Sequence, residues 1–174
     1  MVIVYWLLIE DMFAFTHLGP SLSISAIKPK FFNFWALLLG SVMVDGENVY
    51  LLLINIAENC PKCPHHGFFH SILGAIIGSL ILTYILFKFS RLLLRINPKQ
   101  SFSFSVLFFS SLIGWLTHIF ADALVHRDVF LFWPLEITPL LVSWKYYWPL
   151  SYIFTAVGII AVVIILIKNA KKHG

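Results

Sequence analysis

YYWPLSYIFTAVGIIAVVIILI, Tyr146–Ile167, runs for 22 residues without a charge. A helix needs about 20 such residues to cross a bilayer. GFFHSILGAIIGSLILTYILF, Gly67–Phe87, is a second uncharged run, 21 residues long and broken only by His70. The whole chain has the same character. Of its 174 residues 60% are hydrophobic, 17% are aromatic and only 11% are charged, with a mean hydropathy of +0.90. Soluble domains carry about a quarter charged residues. The composition therefore predicts one compact all-α integral membrane bundle of about five hydrophobic helices.

The other three spans are less uniform. Ser101–Thr117 continues through His118 to Val125. Phe31–Val44 stops at Asp45, and Met12–Ile27 carries His17. Val49–Ala57 reads as an interfacial or re-entrant helix. Cys60–Pro64, Ile96–Pro98 and Pro134–Pro139 read as loops. Gly74 and Gly78 allow close helix contact, in a pattern common in apolar segments. There is no internal repeat, and two cysteines make no disulfide scaffold. Val2–Ile9 is apolar, but it lacks a basic leader and Glu10–Asp11 follow it, so it does not read as a signal peptide.

Charge placement predicts orientation. The net charge of +4 comes from short loops between apolar runs, so no nucleic-acid partner is expected. With five alternating spans, Lys28, Lys30, Lys88, Arg91, Arg95, Lys99, Lys168, Lys171 and Lys172 share one side. Only Lys62, Arg127 and Lys145 take the other. The positive-inside rule makes the nine-residue side, with the C-terminus, cytoplasmic in a multi-pass cell-membrane protein. All eight acids then fall outside: Glu10, Asp11, Asp45, Glu47, Glu58, Asp122, Asp128 and Glu136. So do six of seven histidines, His173 excepted. Neither group was used to set the threading, so their convergence points to a site. Trp144, Tyr146, Tyr147 and Trp148 fit the outer aromatic belt.

Histidine and carboxylate with little thiolate suit zinc and other divalent first-row metals. In THIFADALVH, Thr117–His126, three potential ligands stand four residues apart: His118, Asp122 and His126. Each step drifts only about 40° round a helix, so they line one stripe. His66 and His70 share that spacing, whereas His65 and His70 need a non-helical start to converge. Asp45 and Glu47 lie past the end of the second span, and His17 near the outer end of the first.

Each element also has a plainer reading. A lone interfacial histidine is usually hydrogen-bonded or wet. An HxxxDxxxH stripe can hold helices together, and two acids can simply end a helix at the headgroups. Yet an ionised residue in hydrocarbon costs roughly 2.5–3.5 kcal/mol even on the lenient scale. Several at one face are better explained by mutual compensation through a metal. Cys60 and Cys63, a single CxxC, read equally as a zinc knuckle with His65 and His66, a redox pair, or incidental or oxidised cysteines.

The order of FTHLGPS (Phe15–Ser21), LLLGSVMVDGE (Leu37–Glu47), HHGFFHS (His65–Ser71), GWLTHIFADALVH (Gly114–His126) and FWPL (Phe132–Leu135) resembles the membrane-bound metal-dependent hydrolase family. These are small prokaryotic integral membrane proteins of largely unknown function. The resemblance spans roughly residues 12–140. It implies roles for Thr16–His17, for Asp45 with Glu47 in a proline-less variant of a Pro-Asp-x-Asp motif, for His65 and His70, and for His118 with Asp122. His66 stands where the family has arginine. The motif order is also similar to zinc-dependent phospholipase C, which suggests a phosphodiester.

Residues 12–168 thus form the expected hydrolase-like domain. Residues 1–11 are expected to be a dispensable upstream extension, and 169–174 a basic tail. The expected metal ligands are His17, Asp45, His65, His70, His118, Asp122 and His126. They suffice for one or two ions, of zinc or else of manganese or iron. Glu47 is the candidate general base. The expected partners are membrane lipids, and the expected substrate is a lipid or phosphoester cleaved at the outer face. The alternative is a non-enzymatic protein with a structural or divalent-ion-binding His/Asp cluster. Transport is disfavoured, because no histidine or acid continues toward the inner half.

Overall fold

The computed structural model of the chain describes residues 14–58, 63–96 and 100–170. Among these the fold is all helical. The helices are α1 (Ala14–Ile27), α2 (Phe34–Val42), α3 (Asp45–Ala57), α4 (Ile72–Lys88), α5 (Ser90–Ile96), α6 (Phe104–Ala123) and α7 (Tyr147–Ala170). One-turn 3-10 helices at Phe68–His70 and Trp144–Tyr146 lead into α4 and α7. Phe34–Ile54, Phe104–Ala123 and Trp144–Lys168 are long and apolar enough to cross a membrane, and Ile72–Lys88 is a shorter apolar helix.

Side-chain caps set several helix starts. Asn33 caps α2 by accepting from the Ala36 N–H at 3.0 Å. Ser71 caps α4 by accepting from the Gly74 N–H at 3.0 Å. The same Asn33 donates its side-chain amide to the Ser101 carbonyl and its backbone N–H to Ser110 Oγ, each at 2.9 Å. These bonds join the N-terminal ends of α2 and α6. Lys168 Nζ donates to the Ala26 carbonyl at 2.7 Å, so the C-terminal ends of α1 and α7 also lie together.

Small residues set the closest crossings. A Cβ at Gly19 of α1 would strike the Phe154 carbonyl of α7, and one at Gly40 of α2 would strike the Ser111 carbonyl of α6. Between helices in lipid, such close backbone approach supplies the packing that water would otherwise drive. Gly74 and Gly78 work differently from the helix-contact motif their spacing suggests. Gly74 packs on the backbone of Phe68–Phe69, and Gly78 faces the ring of Trp115.

The core has two main clusters. One, built on Ala36, Leu82, Leu86, Phe102 and Leu107, fills the end that carries Lys28, Lys30, Lys88, Arg91, Arg95 and Lys168. The other, built on Val44, Ala75, Trp115, Ile119, Val129 and Leu131, underlies the histidine-bearing end. Two local expectations change. The helix expected from Val49 starts four residues earlier: Asp45 opens α3 after only Met43 and Val44, where first-turn acids suit a helix dipole. The linker after α4 contains α5. Residues 1–11, Cys60, Lys62, Asn97–Lys99, Lys171, Lys172 and His173, on which other expectations fell, lie outside the described residues.

Candidate metal centre

Four elements deliver the polar side chains to one end of the bundle. His17 comes from the first turns of α1, Asp45 and Glu47 from the first turn of α3, and His118 and Asp122 from the last turns of α6. The segment before α4 supplies His66 and His70. His126 and Asp128 follow α6.

Asp122, 2% exposed, is the hub. His118 Nε2 lies 2.9 Å from its Oδ2, His17 Nε2 3.4 Å from its Oδ1, and His70 Nε2 3.8 Å from its Oδ2. The Nε2 atoms of His66 and His126 stand at 4.0 Å. Asp45 Oδ1 is 3.3 Å from His118 Nε2.

The other ring nitrogens of three of these histidines are tied down. His118 Nδ1 donates to the Ser41 carbonyl at 2.7 Å. His70 Nδ1 lies 3.0 Å from Glu47 Oε2, and His66 Nδ1 3.0 Å from Asp128 Oδ1. A ring whose Nδ1–H is held by a carbonyl or carboxylate presents the Nε2 lone pair, as in metal-ligating histidine. For His118 the acceptor is a carbonyl, so Nδ1 must carry the proton. Its Nε2 then faces two carboxylates, an arrangement favourable only for an imidazolium or with a cation between them. His70 Nε2 and Asp122 Oδ1 are both buried without a hydrogen bond.

Among the described residues three sets bring ligand atoms within 4.8 Å of one another: His17, Asp45 and His118; His66, His70 and Asp122; and His66, His126 and Asp128. The donor chemistry fits a divalent ion. Burial drives the His70 imidazole down to about 4 against the opposing pull of its Glu47 bond, which leaves a neutral ring at pH 7. Burial alone would raise the Asp128 carboxyl. The His66 ring and the backbone N–H groups of His65 and His66 hold it well below its usual range.

Most of the sequence-derived set converges here: His17, Asp45, His70, His118, Asp122 and His126. The double-histidine stretch contributes the other ring. His66 enters two of the three sets, whereas His65 gives its backbone N–H to Asp128 Oδ2 at 3.0 Å and its ring enters none. Glu47 is not placed as a free base. It accepts from the Gly67 N–H at 3.2 Å, the Phe69 N–H at 3.0 Å and the His70 ring. A carboxylate so engaged has little basicity to offer, and it orients His70 instead. Asp128 had no assigned role in the sequence reading. Cys63 is disulfide-bonded, which removes the thiolate that a zinc knuckle needs.

The family model of the YdjM inner membrane protein matches residues 12–174. The chain belongs to the YdjM inner membrane protein family. Neither a comparison with curated proteins nor one with solved structures returns a match. In this YdjM-family chain, apolar spans and family membership agree on a membrane protein. The cluster reaches the surface through Asp45, 18% exposed, and Asp128, 31% exposed, while the rings between them are closed off.

Proposed function

We propose that this YdjM-family protein is a metal-dependent hydrolase acting at the outer membrane face on a lipid or phosphoester. The observation that carries the reading is Asp122 among five imidazole Nε2 atoms, three of them on rings anchored through Nδ1. A zinc-like ion bound there would lower the pKa of a water to about 7 and polarise the scissile group. His17, Asp45, His66, His70, His118 and Asp122 are the proposed ligands, with His126 and Asp128 at the rim. Glu47 and the Ser41 carbonyl fix ring orientation, and Asp45 and Asp128 are the partly exposed members of the cluster.

Sidedness has two supports. Of the eight described basic residues, Lys28, Lys30, Lys88, Arg91, Arg95 and Lys168 lie at the end away from the cluster and only Arg127 and Lys145 beside it, a bias that the positive-inside rule reads as a cytoplasmic far end. Cys63, at the cluster end, is disulfide-bonded, the state favoured in an oxidising compartment.

The test is elemental mass spectrometry on detergent-purified wild type and on His118→Ala/Asp122→Ala. Near-stoichiometric zinc, manganese or iron in the wild type, lost from a folded variant, sustains the reading. No metal in either after divalent-ion reconstitution removes its basis. A metal-loaded protein inert toward lipid phosphoesters would favour a structural or divalent-ion-binding role.

A further inference from the structure

An apolar groove of about 410 Å³ runs along the bundle from the Glu47 carboxylate toward mid-membrane. Its volume falls in the range of small-molecule sites, about 300–1,000 Å³. Gly78, Ile81 and Ile85 of α4 line one side at helical spacing, over about 10 Å of rise. Trp115 forms the back wall. Any Cβ at Gly78 would run into its indole, so the channel depends on that glycine. The ring is held in place by its own N–H, which donates to the Phe69 carbonyl at 2.9 Å.

At this depth the surrounding solvent is hydrocarbon, and Ile81 and Ile85 are 52% and 42% exposed to it. The groove is polar at one end only. There Glu47 sits 3.0 Å from His70 Nδ1, and the other nitrogen of that ring points at Asp122. Tyr50, also exposed and lining the groove, is an amphipathic ring of the kind that settles at headgroup level. A chain lying in the groove therefore has its polar end one side chain from the candidate metal centre. A second crevice, of about 460 Å³ between Pro20, Ile113, Phe120 and Phe154, has no charged residue in its lining and provides an internal control.

We infer that the Glu47–Ile85 groove binds one acyl chain of a glycerophospholipid from the surrounding bilayer and presents its head to the histidine cluster. This deepens the hydrolase reading by naming the substrate class and rests on it for the chemistry; the chain binding itself rests on the groove.

The test is native mass spectrometry of protein released from nanodiscs of phosphatidylethanolamine and phosphatidylglycerol. Wild type is expected to retain one phospholipid per protomer. Ile81→Trp/Ile85→Trp, which fills the groove, should lower retention at least tenfold, whereas Ile113→Trp in the other crevice should not. His118→Ala/Asp122→Ala should keep its lipid. Retained lipid in a wild type that binds no metal would sink the hydrolase reading and leave the groove standing; metal without retained lipid would do the reverse. A phospholipid with a diazirine in its acyl chain gives a second measurement that needs no substitution. Preferential labelling of the Ile81–Ile85 peptide over the one bearing Ile113 supports the inference. Even labelling, no retained lipid in wild type, or equal loss in both tryptophan variants overturns it.

Discussion

Asn33 and Asp122 are both buried polar residues, one near each end of the bundle, and the fold treats them in opposite ways. Asn33 is wholly enclosed, and its side-chain oxygen, side-chain amide and backbone N–H each have a partner within 3.0 Å. Asp122 is almost as enclosed, yet its Oδ1 has no hydrogen bond and five histidine rings surround it. A saturated amide stitches helices together. A carboxylate ringed by imidazole nitrogens, several of them lone pairs by the logic of their tautomers, offers the donor set that the proposed ion would take. Burial alone does not separate structural from functional polarity; the state of the hydrogen-bonding capacity does.

Substitutions at the two sites should therefore part company. Asp122→Asn keeps the shape and removes the charge. Metal affinity, read by elemental analysis across a series of competing-chelator concentrations, should fall by more than the roughly hundredfold typical of outer partners. A metal-replete Asp122→Asn would end the contrast. Glu47→Gln should weaken affinity by about 10- to 100-fold, because His70 loses the carboxylate that fixes its ring; titration with a competing chelator measures this.

Acidification sharpens the comparison. The buried His70 ring titrates near 4, against about 6.5 in an unfolded chain. The unfolded state therefore binds more protons between those values, and stability of the metal-free protein should fall as pH drops through that window. Thermal unfolding in detergent should show the decline, and His70→Gln should flatten it. The smallest expected effect is at the other hub. Asn33→Ala removes a helix cap worth about 1 kcal/mol, with a further cost for the Ser101 and Ser110 groups left behind. Its metal content should match wild type.

The sequence was most readable where regular helix carries the signal. Uncharged length announced α4 and α7, and four-residue spacing placed His118 and Asp122 on one stripe of α6. Legibility failed where the backbone is irregular. Between Cys63 and Ser71 the only regular element is a single 3-10 turn, so spacing could not decide which of His65 and His66 turns inward. Asp128 was hidden for a related reason. Its partner His66 is 62 residues away in sequence, and only the folded loop after α6 brings them together. Glu47 was visible as an acid beside the cluster, but its engagement by Gly67, Phe69 and His70 depends on that same irregular segment. The seven-residue α5 was too short to carry a periodic signature.

His118 stands 14 residues into α6, about 21 Å along its axis, and α4 is 17 residues, about 25 Å. A bilayer's hydrocarbon layer is about 30 Å thick. The membrane must thin around these helices, or headgroups and water must dip toward the histidines, for the centre to stay wet. Under the proposed hydrolase reading, membrane thickness would then control the chemistry. Short-chain bilayers should hold the centre at the waterline, and long-chain or stiffened ones should submerge it, with no change in the protein.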